Sequence, residues 1–61
     1  MKTKVGYYIR EYRKANDVSQ MDLAKEIGVR QSVISDYERG LLNPSLPILR
    51  KLSQITGVAL E

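Results

Sequence analysis

The chain has 61 residues, 43% of them hydrophobic, which is room for one small domain over residues 1–61 and too apolar for compositional disorder. It carries no cysteine and no histidine, which removes disulfides, thiolate metal sites, the usual zinc ligand and the usual general base. Lys and Arg total 10 against 7 acids, and the net charge of +3 suits an anionic partner without specifying one.

The pattern reads as short amphipathic helices with tight joints, and no strand-like alternation runs longer than a few residues. The first helix is predicted over about residues 4 to 15. There Val5, Tyr8, Ile9 and Tyr12 recur at i, i+3, i+4 and i+7 and make one apolar face. That spacing assigns the tyrosines to packing rather than to base stacking, and it leaves Tyr7 off the face. Lys2 and Lys4 precede the helix, as a frayed terminus or as a basic arm. Asn16-Asp17 ends the pattern with turn chemistry.

A second helix begins after Ser19, a good N-cap, with Asp22 three residues on. Leu23, Ala24 and Ile27 form its apolar stripe. Gly28 follows where a left-handed C′ residue is expected. The third helix is predicted over about 31 to 38, with Ile34 and Tyr37 inward and Val29 beneath them, and Gly40 closes it. Leu41-Leu42-Asn43-Pro44-Ser45 is a loop. Ser45 is a candidate cap for a fourth helix whose buried face is Ile48, Leu49, Leu52 and Ile55, and Thr56-Gly57 closes that helix. No apolar run approaches the roughly 18 residues of a membrane span.

The informative stretch is residues 20–39. Ala24 is small enough for a close helix crossing, and Gly28 permits a sharp reversal. Packing of Val29, Ile34 and Tyr37 leaves Gln31, Ser32, Ser35 and Asp36 on the outer side of the third helix. Two helices joined by a short Gly-containing turn, the second with a polar outer ridge, is the geometry that enters a DNA major groove.

At this point the chain resembles the Cro/CI-type (XRE-like) helix-turn-helix repressors over nearly its whole length. The resemblance rests on Ile9-Arg10-Glu11-Tyr12-Arg13, Val18-Ser19-Gln20 with Leu23-Ala24, Ile27-Gly28-Val29, Ile34 to Gly40, Asn43-Pro44-Ser45-Leu46 and Ile55-Thr56-Gly57-Val58. It implies an all-α, four-helix, lambda-repressor-like domain. The family often carries a fifth helix after the position of Gly57-Val58, so a short C-terminal turn is a further option.

The resemblance also implies roles. Gln31, Ser32 and Asp36 match base-reading positions, with Arg30 and Ser35 beside them. Gln20, Ser19, Arg39, Gly40, Asn43 and Arg10 are the candidate phosphate contacts. Arg13 and Glu38 match a partly buried ion pair between the first and third helices. Arg30 stands where the family often has a small capping residue. Asp36 sets a negative charge toward DNA, and must accept from a cytosine amino group or lie back onto Arg30 or Arg39.

The expected function is sequence-specific binding of double-stranded DNA by a cytoplasmic, bacterial or phage-encoded transcriptional regulator, a repressor in the first instance. It would act as a homodimer on a pseudo-palindromic operator. Leu41 and Leu42, unusual in this loop, are candidates for the dimer surface with Val58 and Leu60. The alternative is a protein-interaction module, an antitoxin or adaptor on the same scaffold. No cofactor, membrane partner or small-molecule ligand is evident. No His, Cys or metal cluster is present to activate a nucleophile, so an enzyme is not expected.

Overall fold

A computed structural model describes residues 4–60; Lys2, considered above as part of a basic arm, lies outside them. Four helices follow in chain order: α1 (Val5–Asn16), α2 (Gln20–Ile27), α3 (Gln31–Arg39) and α4 (Leu46–Thr56). Among the described residues there is no strand and no fifth helix, so residues 57–60 form an irregular tail rather than a C-terminal helical turn. No helix among them is long and apolar enough to cross a membrane.

Each boundary follows from local chemistry. Asp17 ends α1 in the left-handed region (φ 55°), a conformation that Asp tolerates better than most side chains. The Ser19 hydroxyl accepts from the Asp22 N–H at 2.9 Å and satisfies one of the orphan amides that open α2. Replacing Ser19 by alanine is expected to cost about 1 kcal/mol of stability, read as a lower melting temperature; an unchanged melt would contradict the capping role. Gly28 turns the chain at φ 82°, and only a left-handed residue there sends it from α2 into α3 within three residues.

Two N-caps lack a side-chain bond; this departs from expectation at Ser45 and agrees with it at Arg30. Ser45 occupies the N-cap of α4, but its side chain makes no cap bond; Pro47 in the first turn, which has no N–H, leaves one fewer amide to satisfy. Arg30 occupies the N-cap of α3 and likewise makes no side-chain cap bond. The first turn of α3 is thus open on its outer side.

The core is small and drawn from all four helices. Val5 and Ile9 of α1, Leu23, Ala24 and Ile27 of α2, Ile34 and Tyr37 of α3, and Leu52 of α4 are buried. Tyr12, Val29, Val33, Ile48, Leu49 and Ile55 pack around them at partial burial. α3 lies mainly against α2 and α1, while α4 closes the other side against α1 and α2. Lys51 of α4 donates to the Ile27 carbonyl at 3.3 Å, a cation placed at the negative end of α2.

A second close approach, at Gly6, was not anticipated from the sequence. A Cβ built there would lie 2.4 Å from the Tyr37 carbonyl oxygen and 2.8 Å from the Glu38 Cα. The missing side chain lets the end of α3 rest directly on the backbone of α1. A glycine interrupting a helical apolar pattern is the available signal for such a contact.

Candidate functional site

Gly6, Arg10 and Arg13 lie at i, i+4 and i+7, so they share one face of α1. That face meets the C-terminal half of α3. Arg13 donates from Nε to Glu38 Oε2 at 2.6 Å and from Nη2 to Glu38 Oε1 at 2.8 Å. Its Nη1 reaches the Val18 carbonyl at 3.2 Å, so one guanidinium ties α1 both to the α1–α2 turn and to α3. The fork suits a planar donor and would not be reproduced by lysine.

Arg10 was expected at a phosphate. Its guanidinium instead turns onto α3, with Nη2 on the Glu38 carbonyl at 3.2 Å and Nε 3.8 Å from Glu38 Oε1. Its side chain stays 45% exposed, so the intramolecular contact holds a surface cation in place.

The Glu38 side chain is only 4% exposed. Burial alone would raise its carboxyl pKa. Hydrogen bonds from Arg13 and Gln20, with the charges of Arg13 and Arg10, outweigh burial and hold it below the ordinary carboxylate value. The reciprocal hydrogen bond from Arg13 to Glu38 raises Arg13, so the pair is fully ionised at neutral pH. Burial pushes the Tyr37 phenol upward, and it remains neutral there.

The network continues outward. Gln20 Nε2 donates to Glu38 Oε1 at 3.2 Å, and Gln20 Oε1 accepts from Gln31 Nε2 at 3.4 Å. The Gln20 side chain, expected at a phosphate, therefore spends both ends of its amide on Glu38 and Gln31. The link between Gln20 and Gln31 was not anticipated from the sequence. Residues eleven apart on two helices carry no local pairing signal.

The outer side of α3 carries the candidate base-reading residues together. Gln31 and Ser32 are exposed in the first turn, and Ser35 and Asp36 are half-buried one turn later. Asp36 lies back onto Arg39, which donates to its Oδ1 at 2.9 Å. Both partners are substantially exposed, so the pair contributes little to stability. Its effect is to set a positive charge directly against the Asp36 carboxylate. Arg39 and Gly40 end the helix; the Leu41 N–H returns to the Asp36 carbonyl at 2.9 Å and fixes the start of the loop. Arg30, at the N-cap of α3, is exposed, as is Asn43 in the loop before α4, where it lines a cleft with Lys4, Tyr8 and Leu60.

The apolar residues expected at a dimer surface separate into two groups. Leu41 and Leu42 are 68% and 45% exposed, and neighbouring Leu46 is 49% exposed. Leu60 instead turns inward against the core, and its N–H donates to Ser53 Oγ at 3.1 Å. Val58 is half-buried, with its N–H on Thr56 Oγ1 at 3.2 Å. The tail is folded over the domain by these bonds, which corrects the assignment of Leu60 to an outward surface.

The site is thus two helices joined by a glycine turn, the second carrying an outward polar ridge and braced from behind by a part-buried ion pair. That arrangement defines a helix-turn-helix domain. The helix-turn-helix family model matches residues 9–61. An HTH-type transcriptional regulator of Methanocaldococcus jannaschii is 38% identical over 61 residues, which cover the whole of this chain and 86% of that protein. The transcriptional regulator SinR of Bacillus subtilis is 39% identical over 58 residues, 93% of this chain and 52% of SinR. Multiprotein-bridging factor 1c of Arabidopsis thaliana is 37% identical over 61 residues, which span the chain but only 41% of that protein. The chain belongs to the helix-turn-helix family. It spans about half or less of SinR and of the plant relative, and most of the archaeal one.

Proposed function

We propose that this domain is a DNA-binding transcriptional regulator that reads double-stranded DNA with α3 in the major groove. The observation that carries the reading is the outward ridge of Gln31, Ser32 and Ser35, with the neighbouring Asp36 charge paired to Arg39, backed by the buried Ile34 and Tyr37. Gln pairs bidentately with adenine, and Ser serves a donor or an acceptor edge. The opening turns of α2 and α3 approach phosphates, where helix dipoles favour negative charge. Arg39, Gly40 and Asn43 follow the backbone beyond α3. Arg30, exposed and not engaged in capping, is placed to add a phosphate or guanine contact. Relatives that regulate transcription support the reading.

Two copies bind half-sites about one helical turn, or about 34 Å, apart. Exposed Leu41 and Leu42 form the surface between them. The regulator represses by occupying its operator, from within the cytoplasm. A sedimentation run at high micromolar concentration tests the pairing; a monomer that also binds the operator as a single copy contradicts it.

Selection of bound duplexes from a random pool tests the base-reading role. Gln31→Ala is expected to lose about 1–3 kcal/mol at one base position and to relax preference there. An unchanged consensus would contradict base reading by Gln31.

A protein partner in place of DNA is the second reading, favoured by the three exposed leucines at residues 41, 42 and 46. Salt dependence separates the two. DNA affinity falls linearly in log salt with a slope of about −0.9 per phosphate neutralised; an apolar protein contact does not.

A further inference from the structure

We propose that Glu38, which faces α1 and α2 and not the groove, is a positioning residue for base choice: it sets the direction of the Gln31 amide through Gln20. The inference rests on the DNA reading above and adds a residue to it.

Donors and acceptors fix how the two amides lie. An ionised carboxylate only accepts hydrogen bonds. Glu38 Oε1 receives Arg13 Nη2 at 2.8 Å and Gln20 Nε2 at 3.2 Å, so the end of Gln20 that faces it must be the NH2 group. Gln20 Oε1 is then forced outward. Gln31 meets that oxygen with its own NH2 group, at 3.4 Å. What Gln31 has left for a base is Oε1, an acceptor, and the second N–H of Nε2, a donor. Adenine offers a donor at N6 and an acceptor at N7 and fits this pair; guanine offers two acceptors, O6 and N7, and does not.

Reversal of the Gln20 amide would invert the outcome. Gln31 would then turn Oε1 inward and show two N–H groups to the groove, which fits guanine. The negative charge on Glu38, held by the two-pronged Arg13 contact, forbids that reversal. Glu38→Gln removes the prohibition while keeping shape, because an amide can donate to Gln20 Oε1 as readily as it can accept from Gln20 Nε2.

The test measures relative affinity for duplexes that differ only in adenine or guanine at the position Gln31 reads. Wild type is expected to favour adenine by about 5- to 150-fold, the span of one bidentate pair. Glu38→Gln is expected to bring the ratio close to parity. Gln20→Met, which leaves the Arg13–Glu38 pair intact and so preserves the fold, is expected to do the same. Thr56→Val, which loses the bonds of the Thr56 hydroxyl to the Leu52 carbonyl and the Val58 N–H at the end of α4 and has no link to the network, is expected to keep the wild-type ratio.

A wild-type ratio retained in Gln20→Met, or in folded Glu38→Gln, overturns the proposal and leaves the DNA reading standing. Equal narrowing in Thr56→Val overturns it too, since general loosening would then explain the effect. If wild type selects no consensus from random duplexes, the DNA reading falls and the proposal falls with it.

Discussion

Gly6→Ala is expected to destabilise the domain by about 3 kcal/mol, the upper part of the range for overpacking a tight site. Alanine in a helix interior ordinarily gains about 0.5–1 kcal/mol over glycine. Here the added Cβ would lie 2.4 Å from the Tyr37 carbonyl and 2.8 Å from the Glu38 Cα and carbonyl oxygen. All three are backbone atoms, which cannot rotate away as a side-chain tip can. α1 and α3 must therefore separate, and the Arg13 fork stretches with them. A chain of this size holds roughly 3–9 kcal/mol in total, at about 0.05–0.15 kcal/mol per residue. The loss should lower the melting temperature by about 12–24 °C. A variant as stable as wild type would mean that helix propensity outweighs the contact and that α1 and α3 are not locked at this point.

Arg13→Met is the second large effect, at about 2–4 kcal/mol. Removing one partner of a deeply buried pair typically costs about 3–5 kcal/mol, because the other charge is left without compensation. Glu38 is 4% exposed and would be so stranded, but Arg13 itself is 18% exposed, which moderates the figure. Its bond to the Val18 carbonyl is lost as well.

The pH dependence carries a sign. Glu38 in the folded wild type titrates below its ordinary value of 4.5. Its contribution to stability is therefore complete above that value and is lost as the pH falls through the lowered one. In Arg13→Met, burial acts on Glu38 with less opposition, and protonation relieves the stranded charge. The stability gap between wild type and variant should narrow as the pH falls from about 6 to about 3. Denaturant titrations across that window check this; a gap independent of pH would place the loss in packing rather than in charge.

The parts of the fold legible in the sequence were those with short-range causes. Ser19, Gly28 and Gly40 mark helix ends through capping and left-handed geometry, and the i, i+3, i+4 spacing of Val5, Ile9, Leu23, Ala24, Ile27, Ile34 and Leu52 marks the core. What escaped was set by distance in space. Gly6 carried no assigned role in the sequence pattern, yet it permits a close backbone contact with α3. Arg10 was a candidate phosphate contact, and the third helix also supplies it with a carbonyl and a carboxylate. Leu60 looked like an outward apolar tip, yet the Ser53 hydroxyl draws the tail back onto the core. The candidate ridge was legible because its outward direction follows from the inward periodicity of α3. The Gln20 to Gln31 link was not, because it depends on how two helices cross.

An NMR titration of the 15N-labelled domain with a duplex recovered by selection shows whether the outer face of α3 meets DNA. The largest shift changes should fall on the amides of Gln31, Ser32, Ser35 and Asp36 and on the first turn of α2, with slow exchange for the selected duplex and smaller, fast-exchange shifts for a scrambled one. Changes confined to Leu41, Leu42 and Leu46, or identical responses to both duplexes, would show that the outer face of α3 does not recognise base sequence.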